Sequence, residues 1–507
     1  MDLQARLYFM SAYKIQAPAG PLLIGYDPFV DLPLDHLARL VDELVDLAVE
    51  LPDRAEGRGQ PERDPRVLIK VILYSILTGV HSSRRMAQYC HEHLAFLFLV
   101  RDDRPCHTSL AQTRRSEAAL LKALFRRLKG IAQKAGIPFL GRIAIDSSKF
   151  AANVSSESLV RRKDYDKAIL AFETLLKLVE EVDAREDLEG AQVHSRTGVL
   201  QTNMRDIMRS LGKEPDPDLK LSNRMVSRVE SGLAAVKEAK EEGLSHVSLT
   251  DPDARMMPIG RKKKKDMGYQ FEAIAEGGNL LEFDTGNHAA DAGRLLPLVE
   301  LAQKASPVPV TQVLADTGYF SGGQIHSLVS AGLDVLVPDK ATSRELKFGP
   351  SEPEESPIEF TKLEGKDAYR CPQGNILKFK EYRHSSEQRF SKYVASRECT
   401  GCILAERCLK QKNTKYRHLT IGQYREQTQA YLAKFNDSEV REAYRARSPW
   451  VETVFSVIRQ TFLFDHWNVR GLQGVASEGA FLSSAYAIHK LGVHLKNQGK
   501  TLREVLG

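Results

Sequence analysis

The pattern of apolar and polar positions divides the chain into stretches of different period. A helical period runs from Leu34 to Leu51, and the Gly-, Pro- and charge-rich stretch Asp53–Asp64 then reads as a linker. From Pro65 to about Gly136 the period is helical throughout: Val67–Leu77 is mostly apolar, Ser82-Ser83-Arg84-Arg85 opens a further helix, and Leu120–Lys134 is basic and amphipathic. Short apolar runs ending on acids follow, Ile143-Ala144-Ile145 on Asp146 and Val313-Leu314-Ala315 on Asp316, as buried strands read.

Between those two runs, polar helices are predicted over Asp164–Ala184 and Leu221–Glu242, an all-helical insertion in a sheet domain. Strands are predicted around His246–Thr250, Tyr269–Ala275 and Leu280–Thr285, then a helix over Ala290–Lys304, the strand ending at Asp316, a short helix over Gly323–Ala331 and the strand Leu333–Pro338. Antiparallel strands, helix, strand, helix, strand is the order of a ribonuclease H-like α/β core. The expected division is an N-terminal segment (1–60), a helical DNA-binding domain (61–136), the core (137–340, with a helical insertion at about 155–245), a Cys-rich insertion (341–440) and C-terminal helices completing the core (441–507).

With 507 residues and a 42% apolar fraction, several cores are expected. No apolar run approaches the length of a membrane span, and the first residues lack a charged then apolar leader, so a cytoplasmic protein is expected. Charge is uneven. Residues 1–60 hold five Lys and Arg against ten Asp and Glu, whereas residues 61–135 hold fourteen against six, a surplus suited to a polyanion. Arg84, Arg85, Arg114, Arg115, Arg126 and Arg127 are the candidates there, with Lys262, Lys263 and Lys264 of the run 261–265 as a second set. Any one of them alone is as readily a solvated face.

A third acid, Glu452, lies in Trp450-Val451-Glu452-Thr453-Val454-Phe455 on a helix that Ser448 would cap and Pro449 would begin, with Arg459 on the same face. Two strand-end carboxylates and one helical carboxylate form a hard-oxygen set for Mg²⁺ or Mn²⁺, and a pair of such ions stabilises the attacking and leaving oxygens of a phosphodiester displacement. A lone Asp at a strand end is more often a turn or cap. Asp251 and Asp291 are read that way, Asp251 as a turn-former before Pro252 and Asp291 as a cap of the next helix.

The words Ile145-Asp146-Ser147-Ser148-Lys149, Thr250-Asp251-Pro252-Asp253-Ala254-Arg255, Ala315-Asp316-Thr317-Gly318-Tyr319-Phe320-Ser321, Val451-Glu452-Thr453-Val454-Phe455 through Arg459, and Arg470-Gly471-Leu472 together resemble a bacterial insertion-sequence DDE transposase of the branch with a helical N-terminal domain and a Cys-bearing insertion. The resemblance implies Asp146, Asp316 and Glu452 as catalytic, metal-binding triad, a helical domain that recognises terminal inverted repeats, double-stranded end and target DNA as partners, a homodimer on DNA, and a nucleoid-associated place in a bacterial cytoplasm. Arg459 stands where such proteins commonly carry Lys and is a DNA-binding candidate that would neutralise a phosphate as a fork donor, and Gly268-Tyr269-Gln270-Phe271-Glu272 departs from the usual core-strand word. Two other classes remain open: a non-enzymatic DNA-binding protein derived from such an element, and an enzyme acting on RNA–DNA hybrids.

Cys371, Cys399, Cys402 and Cys408 fall in one segment, apart from Cys90 and Cys106. In a reducing compartment four such thiols point to structural Zn²⁺ in an otherwise loop-rich segment, with an iron–sulfur cluster or free thiols as alternatives.

Overall fold

The computed structural model describes residues 13–14, 27–50, 62–188, 223–260, 264–349, 358–384, 388–409 and 414–506. The chain is mixed α/β with a helical N-terminal region. Seven helices come first: α1 (Pro28–Asp31), α2 (Leu37–Ala48), α3 (Pro65–Leu77), α4 (Ser83–Glu92), α5 (Leu94–Val100), α6 (His107–Ser116) and α7 (Ala118–Lys134). Their starts follow from local chemistry. Asp64 accepts the Arg66 N–H at 2.9 Å while Pro65 occupies the first turn of α3, and Ser82 accepts the Arg85 N–H at the start of α4.

A six-stranded sheet is built from β1 (Arg142–Ala151), β4 (Arg255–Ile259), β5 (Lys264–Glu276), β6 (Asn279–Gly286), β7 (Gln312–Ala315) and β8 (Asp334–Leu336). Its order is β8-β7-β1-β5-β4, with β6 also paired to β5; β1, β7 and β8 run parallel, and β5 is antiparallel to β1, β4 and β6. Between β1 and β4 a side unit forms from β2 (Leu159–Arg161), α8 (Tyr165–Leu188), α9 (Asn223–Glu241) and β3 (His246–Ser248). The strand expected at His246 pairs with β2 in this unit and not with the main sheet, whose added strand is instead β4, a segment that Pro258 disguises in the sequence.

Alternation along β1 gives the sheet two covered faces. Ile143 and Ile145 join Ile274, Val313 and Val335 under α10 (Leu295–Ala305) and α11 (Gly322–Ser330). Ala144 and Phe150 face the other way, toward the N-terminal helices, α15 (Arg447–Ser456) and the 28-residue helix α16 (Gly471–Gln498). One continuous core therefore holds residues of α2 to α7, the sheet and α16. At Gly479 of α16 a Cβ would lie 2.5 Å from the Thr285 side chain, so glycine is what lets the helix approach β6.

After β8 come α12 (Lys340–Phe348) and a second sheet, all antiparallel, in the order β9 (Thr361–Lys362), β10 (Ala368–Arg370), β11 (Ile376–His384), β12 (Arg389–Ala395) and β13 (His418–Gly422). The sequence leads one to expect loops here. The segment instead has its own small core of Tyr369, Leu377, Tyr393, Ala395 and Cys399. Helices α13 (Arg425–Ala433) and α14 (Ser438–Arg445) lead to α15, and α17 (Leu502–Leu506) ends the chain. Among the described residues no helix is long and apolar enough to cross a membrane.

Candidate active site

The parallel register that sets Ile145 beside Ala315 brings the next residues, Asp146 and Asp316, together: Asp316 stands just past the end of β7, whereas Asp146 lies midway along β1, which runs on to Ala151 instead of ending at the acid as expected. Asp316 Oδ1 accepts the Gly318 N–H at 2.7 Å and so also caps the short turn Thr317–Tyr319. Asp146 accepts the Ser147 N–H at 2.8 Å and a hydrogen bond from the Arg447 guanidinium at 3.1 Å. Burial raises the Asp146 carboxyl to about 6; Arg447 opposes that shift and the neighbouring Asp316 adds to it.

A further carboxylate stands here that the sequence alone suggests is a helix cap. Asp291 Oδ1 accepts from Ser147 Oγ at 2.8 Å and from Gln270 Nε2 at 2.5 Å, with Lys149 Nζ at 3.8 Å. A Cβ on Gly318 would lie 2.8 Å from Asp291 Oδ2 and 2.9 Å from Asp316 Oδ1, so both carboxylates close over a residue that has no side chain. Helix α10 is capped at Arg294, which pairs with Glu272 at 2.6 Å and Asp284 at 2.7 Å. The signal available in the sequence is an acid in a polar loop after a core strand, too common to single out.

Glu452 lies on α15, exposed, and accepts a hydrogen bond from Ser448 Oγ within its own helix. Ser448 thus does not cap the helix: α15 begins two residues earlier than expected, at Arg447, with Ala446 in the cap position. The helix passes into a π-helical turn, Val457–Thr461, where Arg459 donates to Ser148 Oγ at 2.7 Å and Lys149 O at 3.2 Å and lies 4.4 Å from the Phe150 ring, pinning this segment to β1. Arg447, which sequence reasoning missed, stands where a cation beside Asp146 would stand. Among the described residues no three His, Cys, Asp or Glu side chains are disposed to hold a metal ion, so Glu452 is not gathered with the aspartates. The donor types suit Mg²⁺, the Asp pair is assembled, and the third carboxylate is turned onto its own helix.

The basic candidates separate by environment. Arg84, Arg85, Arg115 and Lys264 are exposed. Arg126 is exposed and 4.0 Å from Glu282, while Arg127 pairs with Glu50 at 2.5 Å and donates to Ala48 O. Arg114 is not on a surface at all: it is 3% exposed, pairs with Glu478 of α16 and donates to His81 O at 2.5 Å, so it is spent inside the protein. Lys262 and Lys263 lie outside the described residues. Asp251, expected to form a turn, is buried and ties Tyr269 Oη at 2.5 Å to the Gly471 N–H at 3.1 Å.

All four thiols of the insertion line one cavity of about 450 Å³ and none is in a disulfide. Cys371 Sγ accepts from Asn375 N at 3.2 Å, and Cys402 Sγ from Leu404 N at 3.4 Å. Burial first, and to a lesser degree the other three thiols, raise the Cys408 thiol above its ordinary value while Arg417 opposes the shift, yet among the described residues no three of these thiols are disposed to hold a metal ion.

Two family models match the chain: a Transposase DDE domain over residues 370–492, which takes in the thiol segment and Glu452, and a Transposase domain (DUF772) over residues 28–116. A solved structure, the cryo-EM structure of piggyBac transposase synaptic complex with hairpin DNA, aligns with 96% of this chain and 82% of that one at 9% identity and a TM-score of 0.30, too slight a likeness to argue from. No curated protein matches.

Proposed function

The chain belongs to the DDE transposases of insertion sequences, and from that premise we propose that it cleaves DNA at the ends of its element and joins them to target DNA in a reaction that needs divalent metal. The observation that carries this reading is the meeting of Asp146 and Asp316 on adjacent parallel strands, with α15 and its Glu452 running past the same sheet. Residues 137–340 with 441–507 form a ribonuclease H-like core in this reading. Counted along the chain as β1, β5, β6, β7 and β8, its strands lie in the order third, second, first, fourth, fifth, which supports it.

Asp146 and Asp316 would hold Mg²⁺ or Mn²⁺, with Glu452 as the third oxygen donor. Bound there, the ions supply activation of the attacking water or 3′-hydroxyl and charge stabilisation at phosphorus. The chain's own groups do the rest. Arg447 neutralises the aspartates before substrate arrives, and Arg459 fixes the helix that carries Glu452 to β1. Asp291 holds Ser147 beside Asp146. The exposed Arg84, Arg85, Arg115 and Arg126 contribute to grip on duplex DNA. Zn²⁺ at Cys371, Cys399, Cys402 and Cys408 would staple the insertion; the four thiols share one cavity, and to bind the ion they would have to draw closer than they stand, since no three of them are disposed to hold a metal. Two ends must be joined, so a homodimer on DNA is part of the proposal.

The purified chain with Mn²⁺ and duplex DNA carrying the repeats that flank its gene tests the reading. Nicking at the repeat ends is expected from the native protein and not from Asp146→Asn, which should still bind. Binding without nicking by the native protein would assign the chain instead to non-enzymatic DNA-binding proteins.

A further inference from the structure

The insertion sheet has a second face that the carboxylate site does not use. Along β12 successive side chains alternate, so Tyr393 enters the small core while Lys392 points the opposite way. Lys392 stands across from Glu381 on β11 and Thr420 on β13, and His418 stands two residues along. A cavity of about 410 Å³ opens on this face, lined among others by Arg383, Lys392, Arg417, His418 and Thr420.

Its charge is one-sided. Lys392, only 8% exposed, pairs with Glu381 at 3.1 Å, and Arg383 shares that same carboxylate at 3.2 Å. Arg417 donates to Cys408 O at 2.8 Å and lies 5.5 Å from the Phe360 ring, and its Nε is buried without a hydrogen-bond partner among the described residues. Lys380 stands near enough that it, with Lys392, Arg383 and Arg417, pushes the His418 imidazole below its ordinary value, after the larger effect of burial. The imidazole is therefore neutral near pH 7 and offers a hydrogen bond rather than a fifth charge. Three permanent cations, Arg383, Lys392 and Arg417, thus line the pocket beside one carboxylate, with the exposed Lys380 close by.

We propose that this pocket on the insertion sheet binds a phosphodiester of DNA, an inference that rests on reading the chain as a DNA transposase. A surplus of cations beside a nearly buried lysine is costly until an anion enters, and in a partly desolvated pocket that anion is held more strongly than on an open surface. A guanidinium fork alone fits carboxylate and phosphate equally, but the donors of Arg383, Arg417, Lys392 and Thr420 come from several sides of the cavity, which the oxygens of a tetrahedral phosphate can accept together and the two coplanar oxygens of a carboxylate cannot. Cys408 lines both this cavity and the thiol cavity, so the thiol segment forms a wall of the phosphate pocket.

Fluorescence anisotropy of the full chain on a labelled duplex, repeated across a salt series, tests it. Lys380 and Arg383 are exposed, so Lys380→Ala with Arg383→Ala should leave thermal unfolding unchanged while lowering the slope of log affinity against log salt by one to two, about one for each phosphate no longer neutralised. Arg503→Ala, at a still more exposed cation on α17, should leave the slope as it was. An unchanged slope in the folded double variant would overturn the proposal, as would polyglutamate competing as well as DNA at equal charge. Failure here is separable from failure of the transposase reading: native protein that nicks DNA while the double variant keeps its slope sinks only the pocket, and protein that loses slope in the variant but never nicks sinks only the nuclease.

Discussion

Breaking the Arg114–Glu478 pair should cost the protein much of its stability and none of its phosphate grip. Arg114 is 3% exposed and Glu478 1%, and Glu478 also accepts from Asn468 N at 2.8 Å and Asn468 Nδ2 at 3.2 Å, next to the fully buried Trp467. Removing one partner of such a pair leaves an uncompensated buried charge, at about 3–5 kcal/mol. Arg114→Met is therefore expected to lose that much. Arg114→Met with Glu478→Leu removes both charges and forfeits the two Asn468 hydrogen bonds together with the one to His81 O, at about 1 kcal/mol each, but leaves no unpaired buried charge, so the double variant should be at least as stable as the single one. Urea unfolding followed by tryptophan emission reads this directly, with Trp450→Phe in the background so that Trp467 alone of the two tryptophans reports. The reasoning is refuted if Arg114→Met costs under about 1 kcal/mol, or if it lowers the salt slope of DNA binding by about one unit, as removing a phosphate-binding cation would.

Gly318→Ala should cut cleavage on the order of 100-fold with intact DNA binding, because its Cβ would displace the Asp316 and Asp291 carboxylates; steady-state nicking assays check it. The Asp146 carboxyl lies near 6 in the folded protein and below that when unfolded, so its contribution to stability is full at low pH and fades as pH rises through about 6. The stability gap between native protein and Asp146→Asn, followed by metal-free urea unfolding, should accordingly shift in favour of the variant over that window; a gap independent of pH would contradict the assignment. Metal analysis of the purified chain should find about one zinc, with Cys402→Ser losing it and lowering the melting temperature, whereas a metal-free protein indifferent to the substitution would remove zinc from the insertion.

What the sequence makes legible follows from how far each signal reaches. Strands β1 and β7 read easily because buried parallel strands are uninterrupted apolar runs, and the Asp that closes each run follows at once, although β1 itself continues past Asp146 to Ala151. Strands β11 and β12 escape notice although Ile376-Leu377-Lys378-Phe379-Lys380 alternates, because their outward positions are so heavily charged that the segment resembles a solvated loop. Arg114 and Arg115 are neighbours on α6, yet one is buried and one exposed; the partner that decides it, Glu478, is 364 residues away and belongs to no local pattern. The same distance hides Arg447, whose meeting with Asp146 spans 301 residues. Glu452 is legible as a helical residue, but the local hydroxyl of Ser448, expected to cap the backbone, takes its side chain instead.

The shared core of α2 to α7, the sheet and α16 has a consequence for how such a protein changes its target. A reader of end sequences hung on a tether can be exchanged whole for another. Here the helices carrying Arg84, Arg85 and Arg115 are cemented to the sheet that bears the carboxylates; if they grip the element's ends as proposed, retargeting would proceed by substituting exposed side chains one at a time, and any recombination cut near residue 136 would expose the hydrophobic surface of both halves.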